Sequence, residues 1–210
     1  CDVISFGAAP AMLMLQAVVG ALHGMVESFT FISDTTALGR GVFAVAAVYL
    51  SCAAVRLARF NVENEPDESA HMDFRGLPSP GAAAAVTAVV MLYASLLGTS
   101  AGAAPLVDGA EAQTQAVVAA PSQLHDWFLL GVAMALPVVT LATGLLMVSR
   151  FRYPHVVNQY IRGRRPVGYI VKLLVVGLAM LLWPFPTIAA VALIYAFSGP
   201  AAALAGMLGL

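Results

Sequence analysis

Six stretches of this chain are long and apolar enough to suggest passage through a lipid bilayer, and that limits the fold more than any other feature. They run over residues 3–22, 41–60, 80–98, 127–148, 168–183 and 185–206. A helix crossing about 30 Å of hydrocarbon needs about 20 mostly apolar residues, because each residue advances it by only about 1.5 Å. Hydrocarbon offers no water to satisfy backbone groups, so each stretch is read as a helix that bonds to itself. Composition agrees: 60% of the 210 residues are hydrophobic and 10% are charged, against roughly 25% charged in soluble domains. The expectation is an all-α, polytopic bundle of about six transmembrane helices, one membrane domain over residues 1–210. A soluble enzyme, a secreted disulfide scaffold and a nucleic-acid binder are excluded, the last because a net charge of −1 provides no basic footprint.

The segments between the stretches sort by charge. Segments 56–79 and 149–172 hold Arg56, Arg59, Arg75, Arg150, Arg152, Arg162, Arg164, Arg165 and Lys172, nine of the ten basic residues, and leave Arg40 for the other side. Loop 99–126 carries Asp108, Glu111 and Asp126 but no lysine or arginine. Basic loops stay on the cytoplasmic side, so both basic segments are expected to face the cytoplasm of a multi-pass protein in the cell (inner) membrane. Loop 99–126 is otherwise rich in small and polar residues and is given no function. The last two stretches are separated by Trp183-Pro184-Phe185-Pro186. Two prolines disrupt a continuing helix, so a tight turn is expected there, with one broken helix as the alternative. No internal repeat is visible, which weighs against an inverted-repeat transporter.

Polar chemistry concentrates at one end of the spans. Stretches 80–98, 127–148 and 185–206 have no charge at all, whereas Asp2, Arg56, Arg59 and Lys172 lie at cytoplasmic ends. A channel or pump needs polar groups along its path; this arrangement suits a substrate with its tails in lipid and its headgroup in the cytoplasm. Arg56 and Arg59 are three apart and share a helix face. Arginines at a helix end often simply snorkel to the interface. Here, however, Arg56-Leu57-Ala58-Arg59-Phe60-Asn61 leads through an acidic linker to Phe74-Arg75-Gly76-Leu77-Pro78-Ser79-Pro80, a rigid turn into the next span. Two guanidiniums and a third beyond the loop suit bidentate capture of phosphate or carboxylate oxygens. Asp2, opening the first stretch, is either a helix-start dipole partner or a catalyst.

The runs DVISFGAAPA, RLARFNV and FRGLPSP, in this order and spacing, resemble the bacterial membrane-integral phosphatidylserine synthases, a branch of the CDP-alcohol phosphatidyltransferase family. The resemblance continues through Ser149-Arg150-Phe151-Arg152-Tyr153-Pro154 and the two closing spans, covering most of the chain. It implies transfer of a phosphatidyl group from CDP-diacylglycerol to L-serine, giving phosphatidylserine and CMP in phospholipid biosynthesis. The family holds two divalent ions, Mg²⁺ or Mn²⁺, on the aspartates of D-G-x2-A-R-x8-G-x3-D-x3-D. The last of these aligns with Asp2, which would be both metal ligand and catalytic base. Arg56, Arg59, Asn61 and Arg75 would bind substrate phosphate or carboxylate. The earlier motif residues are absent from this sequence, so the chain is expected to be an N-terminally truncated fragment, unable by itself to assemble the metal pair or turn over. The partners implied are CDP-diacylglycerol, L-serine and membrane lipids, with a homodimer also allowed and no nucleic acid.

Two other readings remain open: the same family with glycerol phosphate or inositol phosphate as acceptor, and a non-enzymatic transporter or scaffold. Arg162, Arg164 and Arg165 are better explained as an orientation signal that attracts anionic lipid. Arg150 and Arg152 are weaker site candidates. His23, His71, His125 and His155 show no metal-ligand spacing. Cys52 reads as a packing residue, and Cys1 as the point where the fragment begins.

Overall fold

The computed structural model describes residues 1–25, 37–63, 74–100, 123–149, 151–153 and 167–207. They form six helices: α1 (Ala9–Met25, entered through a π-helical turn over Ile4–Ala8), α2 (Ala37–Glu63), α3 (Ser79–Ser100), α4 (Gln123–Val148), α5 (Val167–Leu182) and α6 (Pro184–Met207). The expected all-α bundle is present. Five segments are long and apolar enough to cross a membrane: Ile4–Ala21, Gly39–Asn61, Ser79–Gly98, Trp127–Val148 and Pro184–Gly206. α5 differs, because its 16 residues advance only about 24 Å.

Between α5 and α6 a single residue, Trp183, is non-helical. Trp183 N–H still donates to the Ala179 carbonyl at 2.8 Å, and Thr187 N–H to the Trp183 carbonyl at 3.2 Å. Pro184 and Pro186 fall in the first turn of α6, where a helix has no partner for its N–H groups anyway. The two prolines thus begin a helix at no hydrogen-bonding cost, which is why so short a break suffices.

α2 packs most extensively on α4, and α3 on α6 and α4. Lipid tails are as apolar as leucine, so helices in a membrane associate through close packing rather than hydrophobic exclusion. Small residues make that packing possible here. A Cβ added at Gly144 would lie 3.3 Å from the Tyr49 Cα, so α4 approaches the backbone of α2 directly. One buried cluster joins Met14 and Val18 of α1, Tyr49 of α2, Val86 of α3, Leu136 and Met147 of α4 and Ala196 of α6. Thr140 and Thr143 are fully buried in α4, and their hydroxyls donate to the carbonyls of Leu136 and Val139, each at 2.8 Å. Back-bonding of this kind satisfies a hydroxyl where no water can. α5 lies outside this packing: from Val171 to Leu182 every side chain is exposed except a half-buried Ala179.

Two short segments tie one end of the bundle together. β1 (Phe74–Arg75) pairs antiparallel with β2 (Arg152–Tyr153), Phe74 opposite Tyr153 and Arg75 opposite Arg152. Past β1, Gly76 N–H donates to the Phe151 carbonyl at 2.8 Å and Leu77 N–H to the Leu146 carbonyl at 3.0 Å. Tyr153 is buried and its hydroxyl donates to the Ala196 carbonyl of α6 at 2.9 Å. A Cβ at Gly199 would come within 2.5 Å of the Tyr153 ring, so the tyrosine occupies a slot that only glycine leaves open.

The Tyr153 hydroxyl is pushed up to about 12, first by burial and then by Tyr195, with Arg56 acting in the opposite sense. Because the folded value lies above the usual value of about 10, the clip contributes fully below about pH 10 and is lost as pH rises through about 12. Thermal unfolding measured between pH 9 and pH 12 should show this alkaline loss, and Tyr153→Phe should reduce it. Equal alkaline losses in the two proteins would detach the clip from Tyr153.

Candidate functional site

A cavity of about 280 Å³ opens at the clipped end of the bundle, lined by Asp2, Val3, Phe6, Ala53, Arg56, Leu57, Phe60, Pro78, Ser79 and Pro80. Three segments distant in sequence meet there: the entry to α1, the last turns of α2 and the start of α3. The wall is largely apolar, with a carboxylate, a guanidinium and a hydroxyl placed on it. Such a surface accommodates a ligand that is part hydrocarbon and part charged.

Asp2 reaches the cavity because the chain enters α1 through the π-helical turn. Ile4 and Ser5 N–H groups both donate to the Cys1 carbonyl, at 3.0 and 3.1 Å, and Ala9 N–H returns to the Ile4 carbonyl. Gly7 lets this turn lie close on α2, where an added Cβ would meet Leu50 Cδ1 at 3.0 Å and Ala53 Cβ at 3.2 Å. The Asp2 side chain is exposed.

Arg56 is half-buried and donates through Nη1 to the Met147 carbonyl at 3.2 Å. That carbonyl belongs to the last turn of α4, where carbonyls lack helical partners and the dipole is negative, so a cation is favoured there. Arg56 therefore has a structural role as well as a place in the cavity wall. Gly76 completes the junction with φ +84°. A Cβ there would lie 2.5 Å from the Met147 carbonyl oxygen, 2.9 Å from that of Ser149 and 3.0 Å from Arg56 Nη1. The glycine lets the chain turn directly over the end of α4.

Asp2 and Arg56, far apart in sequence, thus share one cavity. Arg59, half-buried, and Asn61, exposed, continue along α2 beyond its lining. Arg75 is placed by its backbone in β1, and its side chain lies outside the described residues, as do Arg150 and Arg162, Arg164 and Arg165 and the Arg152 side chain. Among the described residues no group of three or more His, Cys, Asp or Glu is placed to hold a metal ion. The lining supplies one carboxylate, Asp2, which does not fit a two-metal site on its own.

Three contributors were not apparent in the sequence pattern. Phe6 and Phe60 form part of the wall, and Ser79 brings a hydroxyl at the start of α3. The Ser-Pro pair at 79–80 is a helix-start signal that could have placed Ser79 beside the turn. Comparison with family models, with curated proteins and with solved structures found no match.

Proposed function

We propose that this chain forms part of a phosphatidylserine synthase of the CDP-alcohol phosphatidyltransferase family, which transfers a phosphatidyl group from CDP-diacylglycerol to L-serine. The observation that carries the proposal is the meeting of Asp2 and Arg56 on a largely apolar cavity at the end of a membrane bundle. A donor with two acyl chains and a diphosphate needs an environment that changes from apolar to charged over a few ångströms. The resemblance of DVISFGAAPA, RLARFNV and FRGLPSP to that family supplies the reaction class.

In this reaction the serine hydroxyl oxygen forms a bond to the donor phosphorus next to the diacylglycerol, and the phosphorus–oxygen bond to CMP breaks. The hydroxyl proton passes to Asp2, and CMP leaves with the electron pair. A positioned base contributes about 10²–10⁴-fold. The Arg56 guanidinium provides positive potential where negative charge accumulates. Arg59, Asn61 and Arg75 are assigned to the acceptor carboxylate or a donor phosphate. The further aspartates for the Mg²⁺ or Mn²⁺ pair would precede Asp2 in the intact enzyme. The basic segments and the cavity are assigned to the cytoplasmic side of the inner membrane.

The test supplies the intact protein, in membranes, with CDP-diacylglycerol, radiolabelled L-serine and Mg²⁺ or Mn²⁺. The expected products are labelled phosphatidylserine and CMP. Consumption of glycerol 3-phosphate or inositol phosphate in place of serine would move the chain to another branch of the family. Failure to release CMP with any of these acceptors would refute the family assignment.

A further inference from the structure

We propose that Tyr49 is a positioning residue that holds the π-helical turn Ile4–Ala8 in register and thereby aims Asp2 into the cavity; this rests on the role given to Asp2 above.

Tyr49 lies in the middle of α2 and is fully buried. Its hydroxyl reaches across to α1 and donates to the Phe6 carbonyl at 3.0 Å, inside the π-helical turn. A π turn places one extra residue in a helical turn and breaks the regular sequence of backbone bonds. Phe6 lies four residues before Pro10, which has no N–H to offer its carbonyl in a regular helix, and a carbonyl buried from water is costly unless another donor meets it. The tyrosine hydroxyl is that donor. Its ring cannot easily move away, because α4 passes so close that a Cβ at Gly144 would lie 3.4 Å from Tyr49 Cδ2 and 3.3 Å from its Cα. On the other side, Gly7 brings the π turn against Leu50 and Ala53, the neighbours of Tyr49 on α2.

The geometric consequence is large. Each helical residue turns the chain by about 100° and advances it by about 1.5 Å. Without the anchoring bond the turn is free to rewind about Pro10, and a shift of one residue in its register would rotate everything before it by about that amount relative to α1. Asp2 and Val3, which now line the cavity, would swing off its wall while the rest of the bundle kept its packing. The Tyr49 hydroxyl therefore controls a register, and through it the direction of a carboxylate more than 40 positions away in sequence.

The test uses the intact protein with Cys1→Ser and Cys52→Ala as background. Cysteines placed at Val3 and Leu57, both on the cavity wall, report the register through the rate at which a short bifunctional thiol reagent joins them. Tyr49→Phe removes only the hydroxyl and keeps the ring, so insertion and melting temperature serve as controls for folding. The expected result is slower joining by about tenfold or more in Tyr49→Phe, at unchanged insertion. Turnover should fall toward about 100-fold, the scale of a 1 Å misplacement, with KM for serine nearly unchanged. Equal joining rates in the background protein and in its Tyr49→Phe variant would overturn the proposal whatever the transfer assay shows. Slower joining with unimpaired turnover would overturn the catalytic consequence. Should the parent transfer no phosphatidyl group at all, the proposed function fails, and the joining rate still decides whether Tyr49 sets the register.

Discussion

Asp2→Asn should abolish turnover while leaving the bundle assembled. The substitution keeps the size and shape of the side chain and removes its charge, and the residue is exposed at the mouth of a cavity, so packing has little to lose. On the proposed function, what disappears is the acceptor for the serine proton, worth about 10²–10⁴-fold. The loss should appear in kcat at saturating serine, in protein shown to insert at parental levels. If Asp2→Asn turned over near normally, the carboxylate would be no more than a favourable charge at a helix start, of about 0.3–1 kcal/mol.

Gly76→Ala should be the most damaging single-methyl change in the described part of the chain. Two independent effects act at one position. A φ of +84° costs a residue with a Cβ about 1–2 kcal/mol. The new carbon would also meet the Met147 carbonyl oxygen at 2.5 Å, and relief requires moving backbone at the end of α4 rather than a flexible side chain. Losses above about 3 kcal/mol belong to strain and overpacking of this kind. Because the added Cβ would also lie 3.0 Å from Arg56 Nη1, the cavity should be disturbed along with the β1–β2 junction. Gly177→Ala is the control, since nothing lies within 4 Å of that site and alanine favours helix. Melting temperatures of the two variants should therefore diverge widely, and a Gly76→Ala protein as stable as Gly177→Ala would remove the clip from the account of the fold.

The helices were legible in the sequence because hydrocarbon sets their length. The expected 80–98 and 127–148 match segments Ser79–Gly98 and Trp127–Val148 to within a residue or two. Helix ends outside the apolar window were less legible: α2 runs from Ala37 to Glu63, beyond the expected 41–60, because polar residues extend a helix past the membrane without any hydropathy signal. The break at Trp183 was legible from its prolines, but its one-residue length depended on both prolines falling in the first turn of α6.

Within the site, charge placed Asp2 and Arg56 at the same end of the molecule, and the fold brings them to one cavity. The bond from Arg56 to the Met147 carbonyl was not legible, because no local pattern records which helix end an arginine will meet. The π turn was equally hidden. It is met by a hydrogen bond from Tyr49 to Phe6, two residues whose types in an apolar stretch suggest ordinary packing. Gly76 was recognised as part of a turn, whereas its closeness to two α4-end carbonyls comes only from the tertiary structure.

The proposed function puts the phosphatidyl donor in the cavity between Asp2, Arg56 and Ser79. It is tested most directly by donor protection of Ser79→Cys, half-buried on that wall, in a background with Cys1→Ser and Cys52→Ala. CDP-diacylglycerol at about ten times its Kd leaves about a tenth of the sites empty, so thiol labelling of position 79 should slow by about tenfold, while a cysteine at exposed Leu181 should label at an unchanged rate. Labelling of position 79 at the same rate with and without donor, in protein that still transfers phosphatidyl groups, would place the donor elsewhere and contradict the account.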